Sequence, residues 1–140
     1  MAIWQQTLTP AELTALNEGR LAGIMGIRFT EVGDDYLVAT MPVRRENTQP
    51  YGVLHGGASV VLAETIASVG AQLAVDSSLK VCFGQEINAN HLRKVDRGIV
   101  TATARPWHLG RSSHVWHVQI ADAEGRLSCI SRVTMAIVDR

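Results

Sequence analysis

The stretch QPYGVLHGGASVVLAETIASVGAQLAV, Gln49–Val75, is an almost uncharged run in the middle of the chain. Its section from about Gly56 to Val75 is too long for a strand and is apolar nearly all round. Such a pattern is typical of a helix that is buried on most of its surface. A single carboxylate, Glu64, interrupts the run, and no other Asp, Glu, Lys or Arg lies in residues 47–75. The stretch therefore predicts a long central helix that carries one unusual charge.

Six segments rich in β-branched or alternating residues surround that helix, two before it and four after it. Their sequences are IRFTEVG, YLVATMPV, VCFGQEINANHL, IVTATARPWHL, HVWHVQIA and LSCISRVTMAIV. Half-polar alternation, as in IVTATAR, suits an antiparallel sheet with one covered face. We therefore expect an α+β fold in which a curved antiparallel sheet of about five to six strands wraps around the long helix.

A second helix is expected near the N-terminus, over TPAELTALNEGRLAGIMG (residues 9–26). Thr9 suits the N-cap, Pro10 the first helical position, and Glu12 completes a capping box. Apolar residues recur at roughly helical spacing at Leu13, Leu16, Leu21 and Ile24. No linker, repeat or low-complexity tract follows, so residues 1–140 are expected to form one domain.

Composition narrows the function classes. The 140 residues include 13 basic and 13 acidic ones, so no net field attracts nucleic acid or an anionic membrane. The two cysteines, Cys82 and Cys129, have neither disulfide-framework nor metal-knuckle spacing, which indicates a reducing compartment. The chain shows no secretory signal and no run of roughly 18 apolar residues. We expect a soluble cytoplasmic protein that binds neither nucleic acid nor a membrane.

Glu64 is the first candidate functional residue. Ser68 and Gln72 follow it at helical spacing, so the three form one narrow polar stripe. A carboxylate in an apolar helix is costly unless it has a partner or reaches solvent through a cleft. A structural Glu on a solvated face is the alternative, but such a face usually carries several charges. The pattern favours a functional carboxylate.

The start of the long helix is the second candidate. Gly56 and Gly57 allow close backbone approach, and the first N–H groups of a helix lack internal partners. These donors can polarise a carbonyl or bind an anion, although a tight turn explains two glycines equally well. Gly56 and Glu64 are separated by about 12 Å along a helix. A single helix cannot easily supply both groups to one carbonyl, whereas two helices related by a two-fold axis could. The sequence therefore favours an obligate dimer if both groups serve one reaction.

Other residue patterns are weaker. His114 and His117 are expected on opposite faces of one strand and make a poor metal pair, so a structural role is favoured for both. The loop HLGRSSH, His108–His114, suits a phosphate or an amide-rich chain, and a plain hairpin turn nearly as well. NHLRK, Asn90–Lys94, adds two cations. Metalloprotease, phosphate-loop and nucleophile-elbow motifs are absent from the sequence.

Together these features resemble the hotdog-fold acyl-CoA thioesterases, in the branch of the 4-hydroxybenzoyl-CoA and phenylacetate-pathway enzymes. The resemblance is carried by QPYGVLHGGASVVLAETIASVGA and extends to GDDYLVATMPV, EINANHLR, HLGR and SRVTMAIV. These segments are most similar to 1,4-dihydroxy-2-naphthoyl-CoA thioesterases of menaquinone biosynthesis. Related enzymes act on acylated carrier protein in siderophore synthesis. The resemblance implies hydrolysis of a thioester in the cytoplasm.

Carried over by position, the resemblance assigns the catalytic carboxylate to Glu64, either as nucleophile or as the base that activates water. It implies that the Gly56 N–H polarises the thioester carbonyl. His55 and Gln49 match residues that position the thioester and the water. Ser68 matches a helper one turn beyond the carboxylate. The family's usual assembly, a tetramer built from two dimers, agrees with the dimer inferred from the helix.

The resemblance also implies no metal and no redox cofactor, since CoA is part of the substrate. The expected CoA-binding residues are Gly84, His91, Arg93, Gly110, Arg111 and Ser112. The sequence departs from the naphthoyl-type pattern at Tyr51 and over residues 82–85, so the acyl group stays open between naphthoyl, benzoyl, phenylacetyl and a medium fatty chain. The alternatives to a hydrolase are a non-hydrolytic acyl-CoA binding module, a hydratase or dehydratase and, last, a purely structural dimer module.

Overall fold

The computed structural model describes all residues from Met1 to Arg140. Three α-helices are present, α1 (Pro10–Ala15), α2 (Leu21–Ile24) and α3 (Gly56–Leu73), with a 3₁₀ turn at Arg45–Asn47. The six strands are β1 (Arg28–Val32), β2 (Leu37–Pro42), β3 (Lys80–His91), β4 (Ile99–Leu109), β5 (Ser113–Ala121) and β6 (Leu127–Asp139). No helix is both long and apolar enough to cross a membrane.

All six strands belong to one antiparallel sheet, in the order β1-β2-β4-β5-β6-β3. The long helix α3 contacts every strand from β2 to β6. The predicted α+β architecture of a sheet around a central helix is therefore confirmed.

The alternation of side chains along each strand decides which of them are covered. In β2, Leu37, Ala39 and Met41 are fully buried, while the residues between them are half-buried.

The packing of α3 is tight where Gly70 meets Trp116 of β5. A Cβ built on Gly70 would lie 2.7 Å from the Trp116 ring, so the indole fills the space that a side chain would need. Trp116 is fully buried and stacks on Trp4, with ring centroids 6.3 Å apart. Leu62 and Ile66, also fully buried, lie on the same helix. One interlocked core thus fixes α3 on the sheet.

The N-terminal prediction is partly wrong. Thr9 and Glu12 form the expected capping box, but the chain makes two short helices instead of one. Gly19 between them has φ +70°, a left-handed conformation that ends α1 and redirects the chain. Leu13 alone of the apolar series is buried, and three residues are 61–69% exposed: Leu16, Leu21 and Ile24.

Strand β3 is an edge of the sheet. Its 12 residues pair only with β6, and residues 83–86 are exposed. A long edge strand with free backbone groups is a template for pairing with another chain. One side of α3 is likewise only half-buried, at Val61, Glu64, Thr65, Ser68, Val69 and Gln72. The helix is therefore less enclosed in a single chain than its all-round apolar pattern predicts.

Candidate active site

The start of α3 leaves one backbone donor free. His55 is the N-cap, and its Nδ1 accepts a hydrogen bond from the Gly57 N–H at 2.8 Å. The N–H groups of Ala58 and Ser59 donate to the His55 carbonyl. The Gly56 N–H has no hydrogen-bond partner within the chain. Because the helix dipole is positive at this end, the free N–H suits a developing oxyanion.

A cavity of about 350 Å³ opens at this helix start. Gln49, Gly56, Ser59, His91 and Arg93 are among its lining residues. Gln49 Oε1 accepts from the Tyr51 N–H at 2.7 Å, which leaves the Gln49 amide N–H groups free to donate. The His91 ring lies against Gly56, so that a Cβ on Gly56 would be 2.8 Å from His91 Nε2.

Glu64 lies two turns further along α3, in a second cavity of about 420 Å³. The cavity is lined by Asn17, Leu21, Val61, Glu64, Thr65, Ser68 and Val69. The Glu64 carboxylate has neither a hydrogen bond nor an ion pair within the chain. Ser68, in the same cavity, lies one turn away with its Oγ 3.8 Å from Met135 Sδ. An unpartnered carboxylate in a cavity lined by both apolar and polar side chains is free to act on a bound substrate.

The two cavities share no lining residue. Of the five predicted catalytic residues, Gln49 and Gly56 line one cavity and Glu64 and Ser68 the other, while His55 lines neither and caps the helix beside Gly56. This division agrees with the helical separation of about 12 Å between Gly56 and Glu64. A single chain does not bring the free N–H and the carboxylate to one reacting carbonyl.

The six predicted CoA-binding residues also divide. His91 and Arg93 line the helix-start cavity, while Gly84 lies against Glu64. Gly110, Arg111 and Ser112 form the β4–β5 hairpin, where the Gly110 N–H donates to the Ser113 carbonyl. None of these three lines either cavity. Their binding role stays a prediction.

The remaining histidines and cysteines line neither cavity. His114 is buried and His117 faces the other side of β5, stacked on Trp107 at 4.7 Å, which confirms their opposite orientation. Burial lowers the pKa of His114, and His108 lowers it further.

Burial raises the pKa of the Cys82 thiol to about 11, so this thiol is a poor nucleophile. No group of three His, Cys, Asp or Glu side chains could hold a metal ion.

Sequence reasoning missed residues that come to the site from distant segments. Asn17, in the connection between α1 and α2, and Leu21, the first residue of α2, both line the Glu64 cavity. Ser59 lines the helix-start cavity, as does Lys94, which the NHLRK segment already marked as a cation. Ser59 belongs to the quoted helix motif, which was a usable signal. No pattern in the sequence marks Asn17 or Leu21 as a site residue, because their positions depend on how the elements pack.

Residues 51–129 match the family model described as the thioesterase superfamily. The chain therefore belongs to this superfamily, in its hotdog fold, and is a thioesterase. Among curated relatives, the 1,4-dihydroxy-2-naphthoyl-CoA hydrolase of Escherichia coli K12 is 49% identical, over 97% of this chain and 99% of that protein. The proofreading thioesterase EntH of Cronobacter turicensis is 43% identical, over 97% and 98% respectively.

Solved structures agree with the fold. A mutant of thioesterase PA1618 from Pseudomonas aeruginosa superposes with a TM-score of 0.98 and 46% identity, covering 99% of this chain and 100% of that one. Thioesterase HI1161 from Haemophilus influenzae gives a TM-score of 0.95 at 43% identity, covering 98% and 95%. The predicted family is confirmed.

Proposed function

We propose that this thioesterase hydrolyses an aromatic acyl-CoA to the free acid and CoA, with Glu64 as nucleophile or general base. The observation that carries the proposal is the pair of unpartnered groups on α3, the Gly56 N–H and the Glu64 carboxylate. One suits the oxyanion of a thioester undergoing attack, and the other suits the attack itself. The 49% identity with a naphthoyl-CoA hydrolase supports an aromatic acyl group.

The chemistry needs few further groups. Attack on the thioester carbonyl, by Glu64 or by water that Glu64 deprotonates, creates an oxyanion that the Gly56 N–H stabilises. Collapse breaks the C–S bond and releases the CoA thiolate. If Glu64 itself attacks, the acyl group is left on it as a mixed anhydride, which water hydrolyses to the free acid and the Glu64 carboxylate. A thiol pKa of about 8.5 makes the thiolate a good leaving group near neutral pH. Neither a strong general acid nor a metal is required in this scheme.

The size and lining of the Glu64 cavity suit a hydroxylated aromatic acyl group. Its volume of about 420 Å³ lies in the usual range for small-molecule sites, roughly 300–1,000 Å³. Leu21, Val61 and Val69 give it apolar walls. Asn17 Nδ2 donates to the Leu13 carbonyl at 3.1 Å, which leaves the Asn17 side-chain oxygen free to accept from a substrate hydroxyl.

The helix-start cavity supports CoA binding. Arg93 and Lys94 line it and neither is in an ion pair, so both are free for phosphate groups. His91, beside Gly56, is suited to the pantetheine arm. An acyl carrier protein presents the same arm, and the 43% identity with a proofreading thioesterase makes such a thioester the second candidate substrate.

A dimer completes the proposed site. On β3, Gly84 lies against Glu64 and His91 lies against Gly56. If β3 pairs antiparallel with β3 of a second copy, and the two-fold axis passes midway between these positions, Gly84 faces His91 of the partner. Glu64 then lies beside the helix start of the partner. A tetramer of two such dimers, the cytoplasmic location and a role in menaquinone biosynthesis stay predictions.

Thiol-release kinetics over a panel of aryl and alkyl CoA thioesters tests the proposal. We expect turnover of aryl-CoA substrates, and near-complete loss of it in Glu64→Ala without loss of CoA binding. Wild-type-like hydrolysis by Glu64→Ala would refute the role of the carboxylate. Turnover of the same acyl groups only when they are loaded on carrier protein would favour the second candidate.

A further inference from the structure

Gly84 places the backbone of β3 against the Glu64 carboxylate. A Cβ built on Gly84 would overlap Glu64 Oε1 and lie 3.1 Å from Glu64 Cδ. Gly84 does not have a positive φ, so its backbone conformation is open to any residue. The space that a Cβ would need at this position is occupied by the Glu64 carboxylate, the end of a flexible side chain.

The sheet is irregular at the same point. Gly84 pairs with Met135 and Glu86 with Thr134, so Gln85 is an extra residue without a Cα partner on β6. Such β-bulges are frequent beside active sites, where they re-aim the chain. Met135 also contacts the Ser68 hydroxyl at 3.8 Å. The Gly84–Met135 pair therefore faces both Glu64 and Ser68.

Gln72 fixes the position of β3 on α3. Its Oε1 accepts from the Cys82 N–H at 3.0 Å, and its Nε2 donates to the Lys80 carbonyl at 3.2 Å. This amide therefore bonds the helix to the strand backbone just before Gly84. Gln72, the third residue of the polar stripe, therefore holds β3 in the register that places Gly84 against the Glu64 carboxylate.

We propose that Gly84 is a positioning residue for Glu64: its missing side chain gives the carboxylate the space it occupies beside the β3 bulge. This assignment, which rests on the proposed function of Glu64, differs from the expected contact with CoA. A side chain at residue 84 would push the flexible Glu64 side chain aside without requiring the sheet to move. The effect should therefore appear in the chemical step.

Gly84→Ala tests this through separate measurements of kcat, KM and CoA product inhibition. A displacement of about 1 Å at a reacting group can cost about 10²-fold in rate. We expect a fall in kcat of that order, with KM and CoA inhibition unchanged. A rise in KM and weaker CoA inhibition at unchanged kcat would instead identify a CoA contact and overturn the proposal.

Glu64→Asp supplies the matched rescue, because its shorter side chain leaves room for the new methyl group. We expect Glu64→Asp to lower kcat less in the Gly84→Ala background than in the wild type. Simple additivity of the two losses would show that the residues do not interact and would contradict the proposal.

A second cycle uses thermal unfolding alone and needs no turnover, so it stands even if Glu64 is not the catalytic group. Any loss of Tm caused by Gly84→Ala should shrink in the Glu64→Ala background, where the carboxylate is gone. If Gly84→Ala fails to fold, the double variant should fold. An equal loss of Tm in both backgrounds, or failure of both variants to fold, would show that the methyl group at residue 84 clashes with a group other than Glu64. Either result would contradict the proposal.

Discussion

At the residue level, the chemistry depends on which backbone groups the helix start has already used. The His55 side chain accepts from Gly57, and the His55 carbonyl accepts from Ala58 and Ser59. Only the Gly56 N–H is left to face a substrate in the adjoining cavity. His55 therefore has a second proposed role, since it keeps the neighbouring donor occupied and the helix start in shape.

Gly56→Pro isolates this donor. Residue 56 is the first helical position, where proline is well tolerated, and His55 has the extended conformation (φ −64°, ψ 132°) that precedes proline. The substitution removes the N–H and keeps the helix. We expect kcat to fall about 10²–10³-fold, the usual loss for one oxyanion donor, as measured by thiol release.

Gly56→Ala is the matched control, because its Cβ meets the same His91 ring but the N–H remains. We expect it to retain much more turnover than Gly56→Pro. Equal losses in the two variants would mean that contact with His91, and not the N–H, carries the effect.

His114 gives a prediction on pH dependence. Its pKa is lowered in the folded protein, first by burial, so the unfolded chain binds a proton at higher pH than the native state does. The stability that neutral His114 contributes is then fully present above the unfolded pKa of about 6.5 and is lost as the pH falls below it. We expect urea unfolding of His114→Leu to depend less on pH between about 7 and 5. An unchanged pH dependence would exclude His114 as its source.

At the level of elements, local patterns predicted α3 and all six strands. Alternation in β2 and an unbroken apolar run in α3 are visible without knowledge of packing. The single N-terminal helix was wrong because the left-handed turn at Gly19 interrupts a helical pattern that continues on both sides of it. Its exposed apolar residues are not part of the core, and one of them, Leu21, lines the Glu64 cavity.

The site was predictable to the extent that it lies on one element. Gly56, Glu64 and Ser68 belong to α3, so helical spacing alone separates the first two. The contacts of His91 with Gly56 and of Gly84 with Glu64 join β3 to α3. Those contacts depend on the strand register that the Gln72 amide and the bulge determine, and no local pattern encodes that register.

Gly70→Ala tests how tightly α3 is seated on the sheet. The added methyl would lie 2.7 Å from the buried Trp116 ring, and overpacking of this kind costs about 1–3 kcal/mol. Higher helix propensity offsets up to about 1 kcal/mol of that cost. We expect a net loss in the free energy of unfolding, measured with urea, that becomes smaller in a Trp116→Leu background. A stabilised Gly70→Ala variant would contradict this packing.

At the level of the whole molecule, a single chain exposes a strand edge and apolar side chains that are usually covered in folded proteins. Strand β3 is an unpaired edge of the sheet, and one side of α3 is only half-buried. Two large side chains, Tyr51 and Phe83, are exposed. The two unpartnered groups of the proposed site lie in separate cavities on that same helix. A two-fold partner would cover the strand edge and bring each carboxylate to the other chain's helix start.

Mixing two inactive variants tests this arrangement. Glu64→Ala retains its helix-start donor, and Gly56→Pro retains its carboxylate, so a mixed dimer holds one intact site and one doubly altered site. Random pairing of equal amounts makes about half of the dimers mixed, which gives about one quarter of wild-type turnover. The measurement is thiol release after the two proteins are unfolded and refolded together, with each variant refolded alone as the control. Turnover no higher than the mean of the two controls would mean that both groups act within one chain, and the shared site would then be wrong.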